Sequence, residues 1–120
     1  MSDAATSKPA TLSAEDAKLV TLARAARARS GGSEGAAVRD GDGRTYAGSA
    51  VALPSLTLTA LQFAVASAVN GGTGTIEAAA VVAGSESLDP SGRSAVHDVS
   101  PGAPIFLASP AGDVLATYAD

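Results

Sequence analysis

The chain has 120 residues, enough for one domain with its own core, and its formal net charge of −4 argues against broad binding to nucleic-acid phosphates. It contains no cysteine, which excludes a disulfide and a thiolate-bound metal within the chain. No apolar run approaches the roughly 18 residues that a membrane-spanning helix needs, and no secretory signal is visible, so we expect a cytoplasmic protein without a membrane partner.

The first part of the sequence predicts a tail followed by a helix. Residues 1–12 are polar and should form a disordered tail, which leaves residues 13–120 as the single folded domain. A helix is expected at about 14–29, because Ser13 is a favourable N-cap and apolar residues then recur at helical spacing. Gly31 follows at the position where helices commonly end in a left-handed turn.

An acidic, glycine-rich segment at 40–43 separates two short runs of extended character, at 34–39 and 44–49. Asp-Gly between such runs is a strong signal for a hairpin. The acidic pattern also suggests a calcium loop, but the remaining ligand positions of such a loop, notably its distal glutamate, are missing. We therefore predict a hairpin turn at this segment.

The second half of the chain alternates between helical and extended patterns. Residues 57–70 predict a helix that is apolar on nearly all sides and is therefore mostly buried. The continuous apolar run at 76–83 is typical of a central strand that is buried on both faces. A short helix at about 90–98 precedes two strands, at 105–108 and 114–118, whose short connection requires antiparallel pairing if they are neighbours.

Short segments in this order and at this spacing resemble the small cytidine deaminases of the nucleoside branch, over about residues 14–118. The matching segments are Gly-Ala-Ala at 35–37, Asp-Gly-Arg-Thr-Tyr-Ala-Gly at 42–48, Leu-Thr-Leu-Thr-Ala at 56–60 and Pro-Ser-Gly-Arg-Ser at 90–94. The resemblance implies a three-layer α/β/α fold, in which about five mixed strands end in a closing antiparallel hairpin.

The same resemblance identifies the positions that would carry the chemistry. Family members hold a zinc ion that activates a water, and a glutamate transfers the protons. The corresponding positions here are Thr59, Ser91 and Ser94 for the zinc ligands, Leu61 for the glutamate, and Ala50 and Ala52 for the asparagine and glutamate that hold the ribose. Neutral hydroxyls are poor zinc ligands, and leucine cannot move a proton. We therefore predict a pseudoenzyme with no catalytic residue, no metal and no cofactor.

This combination favours a non-catalytic, cytidine deaminase-like protein that acts as an oligomeric scaffold or interaction module. Hydrophobic residues make up 46% of the chain but aromatic residues only 3%, so its core consists of small side chains that each bury little area. Association of copies would add buried surface, and proteins of the family it resembles form dimers or tetramers. We therefore expect a homodimer or homotetramer.

Three other interpretations stay open. The resemblance places Thr59, Ser91 and Ser94 near two helix N-termini, whose backbone N–H groups could hold a nucleoside, an anion or another small polar ligand for sensing. Ser94, His97 and Asp98 could support metal-free catalysis, although neighbours on one helical turn rarely point at a common atom. The chain could also be a cytidine deaminase in name alone, through the ancestry of its fold.

Three arginines near the end of the first predicted helix raise the question of RNA binding: Arg24, Arg27 and Arg29. Cations at a helix C-terminus complement the helix dipole, and no aromatic side chain lies near them in the sequence to stack on bases. We therefore expect these arginines to be structural and solubilising, with no nucleic-acid partner.

Overall fold

The structure is a computed structural model that describes residues 12–119, in which ten helices and strands follow one another. In chain order they are α1 (Ala14–Ser30), β1 (Glu34–Asp40), β2 (Thr45–Ser49), β3 (Val51–Leu53), β4 (Leu56–Leu58), α2 (Ala60–Asn70), β5 (Ile76–Ala83), α3 (Pro90–Val99), β6 (Ile105–Ala108) and β7 (Val114–Tyr118). The predicted tail lies, except for Leu12, outside the described residues. None of the helices between residues 12 and 119 has both the length and the hydrophobicity that a bilayer span requires.

Five strands form one mixed sheet in the order β2–β1–β5–β6–β7, with β5 at its centre. Strands β5 and β6 run parallel, whereas the other neighbouring pairs are antiparallel. The predicted mixed sheet of about five strands, its central strand and its closing antiparallel hairpin are therefore confirmed. Strand β5 is buried along nearly its whole length, as its almost unbroken apolar sequence predicts.

The helices lie in two layers, one on each face of the sheet. Successive side chains of a strand point to opposite faces, so each layer has its own core. The core on the α1 side includes Leu19, Ala23, Ala37, Ala80 and Val82. The core on the side of α2 and α3 includes Ala36, Leu61, Ala64, Val81 and Val96. These two cores give the three-layer α/β/α fold that the resemblance implies.

Helix α1 approaches the sheet closely at a glycine of β1. A Cβ atom at Gly35 would lie 2.5 Å from the backbone nitrogen of Arg27 and closer still to the carbonyl oxygen of Ala23. Both neighbours are backbone atoms, which cannot rotate away as a flexible side chain can. Only glycine therefore fits between β1 and α1 at this position.

Helix α1 begins and ends close to its predicted limits. Ser13 accepts a hydrogen bond from the backbone nitrogen of Asp16 at 3.1 Å, and Gly31 ends the helix with a left-handed φ of 66°. The Asp16 carboxylate accepts a hydrogen bond from Arg39 of β1 at 2.9 Å, and Arg39 also pairs with Glu77 of β5 at 2.9 Å. This ion-pair network connects the helix with two strands.

Helix α2 begins at Ala60 and not at 57, so the predicted start of this helix is wrong. The residues before it form a hairpin, because β3 and β4 pair antiparallel across a short turn. This pairing holds 56–58 in an extended conformation, and Thr59 then caps the helix. The alternating Leu and Thr residues of this segment suit a strand as well as a buried helix, which explains the error.

Candidate functional site

A cavity of about 330 Å³ opens where the N-termini of α2 and α3 meet the carboxyl end of β5. Large aliphatic side chains form part of its lining: Leu61, Val81, Leu88 and Leu107. Polar side chains form another part: Glu34, Thr59, Ser85, Ser87 and Asp89. A crevice at the carboxyl end of sheet strands with convergent polar groups is the usual place for a ligand site in an α/β fold.

The N-terminus of α2, on one side of this cavity, is closed by protein oxygens. Thr59 Oγ1 accepts a hydrogen bond from the Gln62 backbone nitrogen, and Gln62 Oε1 accepts one from the Thr59 backbone nitrogen, each at 3.0 Å. This is a complete capping box. Glu34, at the start of β1, accepts a hydrogen bond from the Ala60 amide through Oε1 at 2.7 Å. A carboxylate there also suits the positive end of the helix dipole.

The N-terminus of α3 is closed in a similar way by Asp89. Its Oδ1 accepts hydrogen bonds from the Ser91 backbone nitrogen, at 2.8 Å, and from the Ser91 hydroxyl. The Ser91 hydroxyl and then the Ser91 amide hold the pKa of Asp89 below its usual value, against an opposing effect of burial. Asp89 is therefore ionised at neutral pH. The next residue is Pro90, which has no backbone N–H to satisfy.

Leu61 fills the space between the two helices. It is 2% exposed and lies directly against Gly92 of α3. A Cβ atom at Gly92 would lie 3.0 Å from Leu61 Cβ and 3.2 Å from Thr59 Oγ1, so the helices approach closely here. The position to which the resemblance assigns a glutamate therefore carries a packing side chain.

Of the residues at the predicted zinc-ligand positions, only Thr59 lines the cavity, together with Leu61. Ser91 and Ser94 are both exposed and do not belong to its lining residues. Ser94 lies instead beside a shallow surface depression that also involves His97.

The two predicted ribose-binding positions also lie away from the cavity lining. Ala50 directly precedes β3 and Ala52 lies within it, and both are exposed. Neither is among the residues that line the cavity. A methyl side chain offers no hydrogen bond, so neither position can hold a ribose through its side chain.

The zinc ion that the resemblance implies does not fit the groups present. Thr59 Oγ1 caps a helix, and the Ser91 hydroxyl donates its hydrogen to Asp89. Between residues 12 and 119, no three His, Cys, Asp or Glu side chains lie together in an arrangement that could hold a metal ion. Neutral hydroxyls without thiolate or imidazole partners make a weak zinc site, so this donor set does not match zinc.

His97 makes a structural contact. Its Nε2 lies 3.0 Å from the carbonyl oxygen of Ala103, in the loop before β6. A carbonyl oxygen only accepts hydrogen bonds, so Nε2 carries the hydrogen in this contact. The contact connects α3 with the start of the closing hairpin.

Two of the three arginines of α1 bind backbone carbonyl groups. Arg24 Nε donates to the Pro110 oxygen at 3.2 Å, and Arg27 Nε donates to the Ser33 oxygen at 3.1 Å. These bonds join α1 to the β6–β7 turn and to the residue before β1. They support a structural role for this part of the helix.

The two carboxylates of the cavity were missed by the sequence reasoning. Aspartate followed by proline is a recognisable start of a helix, so Asp89 carried a usable signal. Glu34 contacts Ala60 across 26 positions of the chain, and no local pattern signals a contact of that kind.

A second feature is the hairpin of β3 and β4, which exposes an aliphatic face. Val51 pairs with Leu58 and Leu53 pairs with Leu56, so these four side chains lie on one side of the hairpin. Leu53 is 57% exposed and Leu56 is 48% exposed. We call these four residues the hairpin face.

Comparison with known proteins gives one family and one fold. A family model described as cytidine deaminase-like matches residues 12–112. The solved structure of a cytidine deaminase from Burkholderia pseudomallei is 27% identical, with a TM-score of 0.74, over 84% of this chain and 90% of that chain. One from Mycobacterium leprae is 26% identical, with a TM-score of 0.64, over 82% of this chain and 91% of that chain. No curated protein matches the chain.

Proposed function

The chain belongs to the cytidine deaminase-like family, and we propose that it is a non-catalytic member that acts as an oligomeric scaffold or interaction module. One observation carries the loss of catalysis: Leu61, at the glutamate position, is 2% exposed and packed against Gly92. Hydrolytic deamination needs a group that moves protons between the attacking water and the leaving amine. A hydrocarbon side chain cannot do so.

Glu34 does not take over the role of the missing glutamate. Its Oε1 accepts a hydrogen bond from the Ala60 amide at 2.7 Å, and to act as a general base it would also need an activated water beside it. The groups around the cavity do not fit zinc, so the described residues offer no metal site to lower the pKa of a water that Glu34 could deprotonate. This carboxylate is better explained as a cap of α2.

Self-association is supported by the hairpin face. Each of its leucines would gain about 1.5–3 kcal/mol from complete burial, a gain that Leu53 and Leu56 obtain only in part within one chain. Adjacent exposed apolar side chains are typical of protein–protein contacts. In a two-fold dimer, the same face of two copies could pack together and bury both leucine pairs.

The oligomeric part of the proposal is tested by native mass spectrometry. We expect a dimer or tetramer for the unchanged protein, and monomers for the double variant Leu53→Ser, Leu56→Ser. Thr57→Ser, on the opposite side of the same hairpin, is the matched control and should leave the subunit number unchanged. Circular dichroism checks that the variants fold. A monomeric unchanged protein would contradict self-association.

The catalytic part is tested by ammonia release from cytidine after incubation of the protein with zinc. We expect no turnover above that of buffer with zinc, because the position of the proton-transferring group holds Leu61. Zinc-dependent turnover that is lost in Thr59→Ala would show that the chain is a deaminase in activity as well as by ancestry.

The cavity supports a second candidate function, the binding of a small ligand for sensing. Its volume of about 330 Å³ lies at the lower end of the roughly 300–1,000 Å³ that small-molecule sites usually occupy. It also combines aliphatic and polar lining, which is the usual composition of such sites. This function does not depend on the hairpin face.

A further inference from the structure

The cavity between α2 and α3 is lined by negative charge, although its place at two helix N-termini suggests an anion site. Two helix N-termini meet there, and helix N-termini commonly attract anions. Yet the described residues that line the cavity include two carboxylates, Glu34 and Asp89, and no lysine, arginine or histidine. The local electrostatics are therefore the reverse of those of an anion site.

Amides that would attract an anion already donate to protein oxygens. The Ala60 amide of α2 donates to Glu34, and the Ser91 amide of α3 donates to Asp89. The first residue of α3 is a proline, which has no amide hydrogen to offer. An anion in this cavity would meet two negative charges without these donors to compensate for its lost hydration.

Both carboxylates keep the capacity to accept further hydrogen bonds. A carboxylate has about four lone-pair sites. Glu34 uses one of its sites for the Ala60 amide, and Asp89 uses two for Ser91. A ligand with several N–H donors and a positive charge could therefore bind both residues while the helix caps stay in place.

The rest of the lining suits a hydrocarbon group. Leu61, Val81, Leu88 and Leu107 all line the cavity. Leu61 and Leu107 are 2% and 0% exposed and belong to the core behind this wall, whereas Leu88 is only half-buried and offers accessible apolar surface. A ligand with an apolar body would bury that body against Leu88.

We infer that this cavity binds a small organic cation, an ammonium or guanidinium group carried on a short apolar body. The cation lies between Glu34 and Asp89, and the apolar body contacts Leu88. The inference rests on the second candidate function, ligand binding, and is independent of the oligomeric state.

Three probes of similar shape test the charge preference in the full chain at neutral pH: benzylamine, benzyl alcohol and benzoate. Methyl NMR signals of Leu88, the half-buried leucine of the lining, report binding. We expect saturable shifts with benzylamine, binding of benzyl alcohol that is about tenfold weaker or less, and none with benzoate, because only the amine gains from the two carboxylates. Equal binding of benzyl alcohol or benzoate would overturn the inference.

Glu34→Gln removes one charge and keeps an amide oxygen that can still accept from the Ala60 amide. We expect it to weaken benzylamine binding about tenfold. Glu86→Gln removes an equal charge from the neighbouring loop, outside the lining residues, and should leave binding unchanged. If Glu34→Gln does not fold, Asp89→Asn serves instead, because asparagine is an equally good N-cap.

The outcomes separate this inference from the proposed functions. Unchanged benzylamine binding in the folded Glu34→Gln protein would overturn the inference and leave ligand binding in place. If none of the three probes binds, the inference fails, and a thermal-shift screen with nucleosides, nucleotides and anions then tests the sensing function separately. The subunit number from native mass spectrometry remains a separate test of the scaffold function.

Discussion

Leu61 connects the packing of this protein with its proposed loss of chemistry. It lies between α2 and α3 with 2% of its surface exposed. An ionised glutamate at the same place would have to lose most of its hydration, which is costly without a partner that compensates for the charge. Leucine avoids this cost and adds apolar contacts. Replacing a functional group by hydrocarbon therefore favours stability over activity, a trade-off that is common at active sites.

Leu61→Ala should lower the free energy of unfolding by about 2–5 kcal/mol, because it removes buried hydrocarbon and leaves a cavity. Urea denaturation followed by circular dichroism measures this change. Val69→Ala is the control on the same helix, since Val69 is 50% exposed, and it should change the free energy by less than about 1 kcal/mol. Equal losses in the two variants would show that Leu61 is not the packing residue described here.

At the scale of elements, the parts that were predicted well are those with local signals. Helix α1 has a serine cap at one end and a left-handed glycine at the other, and β5 is an almost unbroken apolar run. Each signal lies within the element that it specifies. The start of α2 also carries a local signal, the Thr-x-x-Gln capping box at 59–62, but the segment at 56–58 fits a strand or a helix, and its pairing with β3 decides between them.

The candidate site was predictable only in part, for reasons of geometry. The resemblance identified Thr59 and Leu61, and both line the cavity. Ser91 and Ser94 keep the family spacing, but they are three positions apart and share the exposed side of α3. Gly92 and Val96 are the buried residues of that helix. Sequence spacing alone does not show which side of a helix faces a cavity.

The predicted hairpin turn has a consequence for the whole molecule, because it contains a buried carboxylate. Asp40 is 1% exposed. Its Oδ1 accepts hydrogen bonds from the amides of Asp42 and Arg44, at 2.9 and 3.0 Å. Its Oδ2 accepts one from the Tyr46 hydroxyl at 2.9 Å. These bonds join the turn to β2, an edge strand of the main sheet.

The pKa of Asp40 is the balance of opposing effects. Burial is the largest single effect and raises the pKa, whereas the hydrogen bonds from Tyr46 and the two amides lower it. Together the lowering effects prevail, and the pKa of Asp40 lies below its ordinary value of 3.8. The folded protein therefore binds this proton less readily than the unfolded chain.

This difference in proton binding predicts how stability depends on pH. Because the folded pKa is the lower one, the contribution of Asp40 is complete above the unfolded pKa of about 4 and is lost as the pH falls through the folded value. The contribution of Asp89 to stability changes with pH in the same direction, since its pKa is also lowered. The free energy of unfolding should therefore decline below about pH 4. Urea denaturation at a series of pH values measures this decline.

Asp40→Asn isolates the part of the decline that belongs to the hairpin turn. Asparagine keeps an oxygen for the two turn amides and an NH₂ group that can donate to the Tyr46 hydroxyl, but it does not titrate. The decline below about pH 4 should therefore be shallower in this variant. Asp42→Asn changes an exposed neighbour in the same turn and should keep the full decline. If Asp40→Asn also keeps it, the acid sensitivity arises elsewhere, and the buried carboxylate is not the group that makes the fold sensitive to acid.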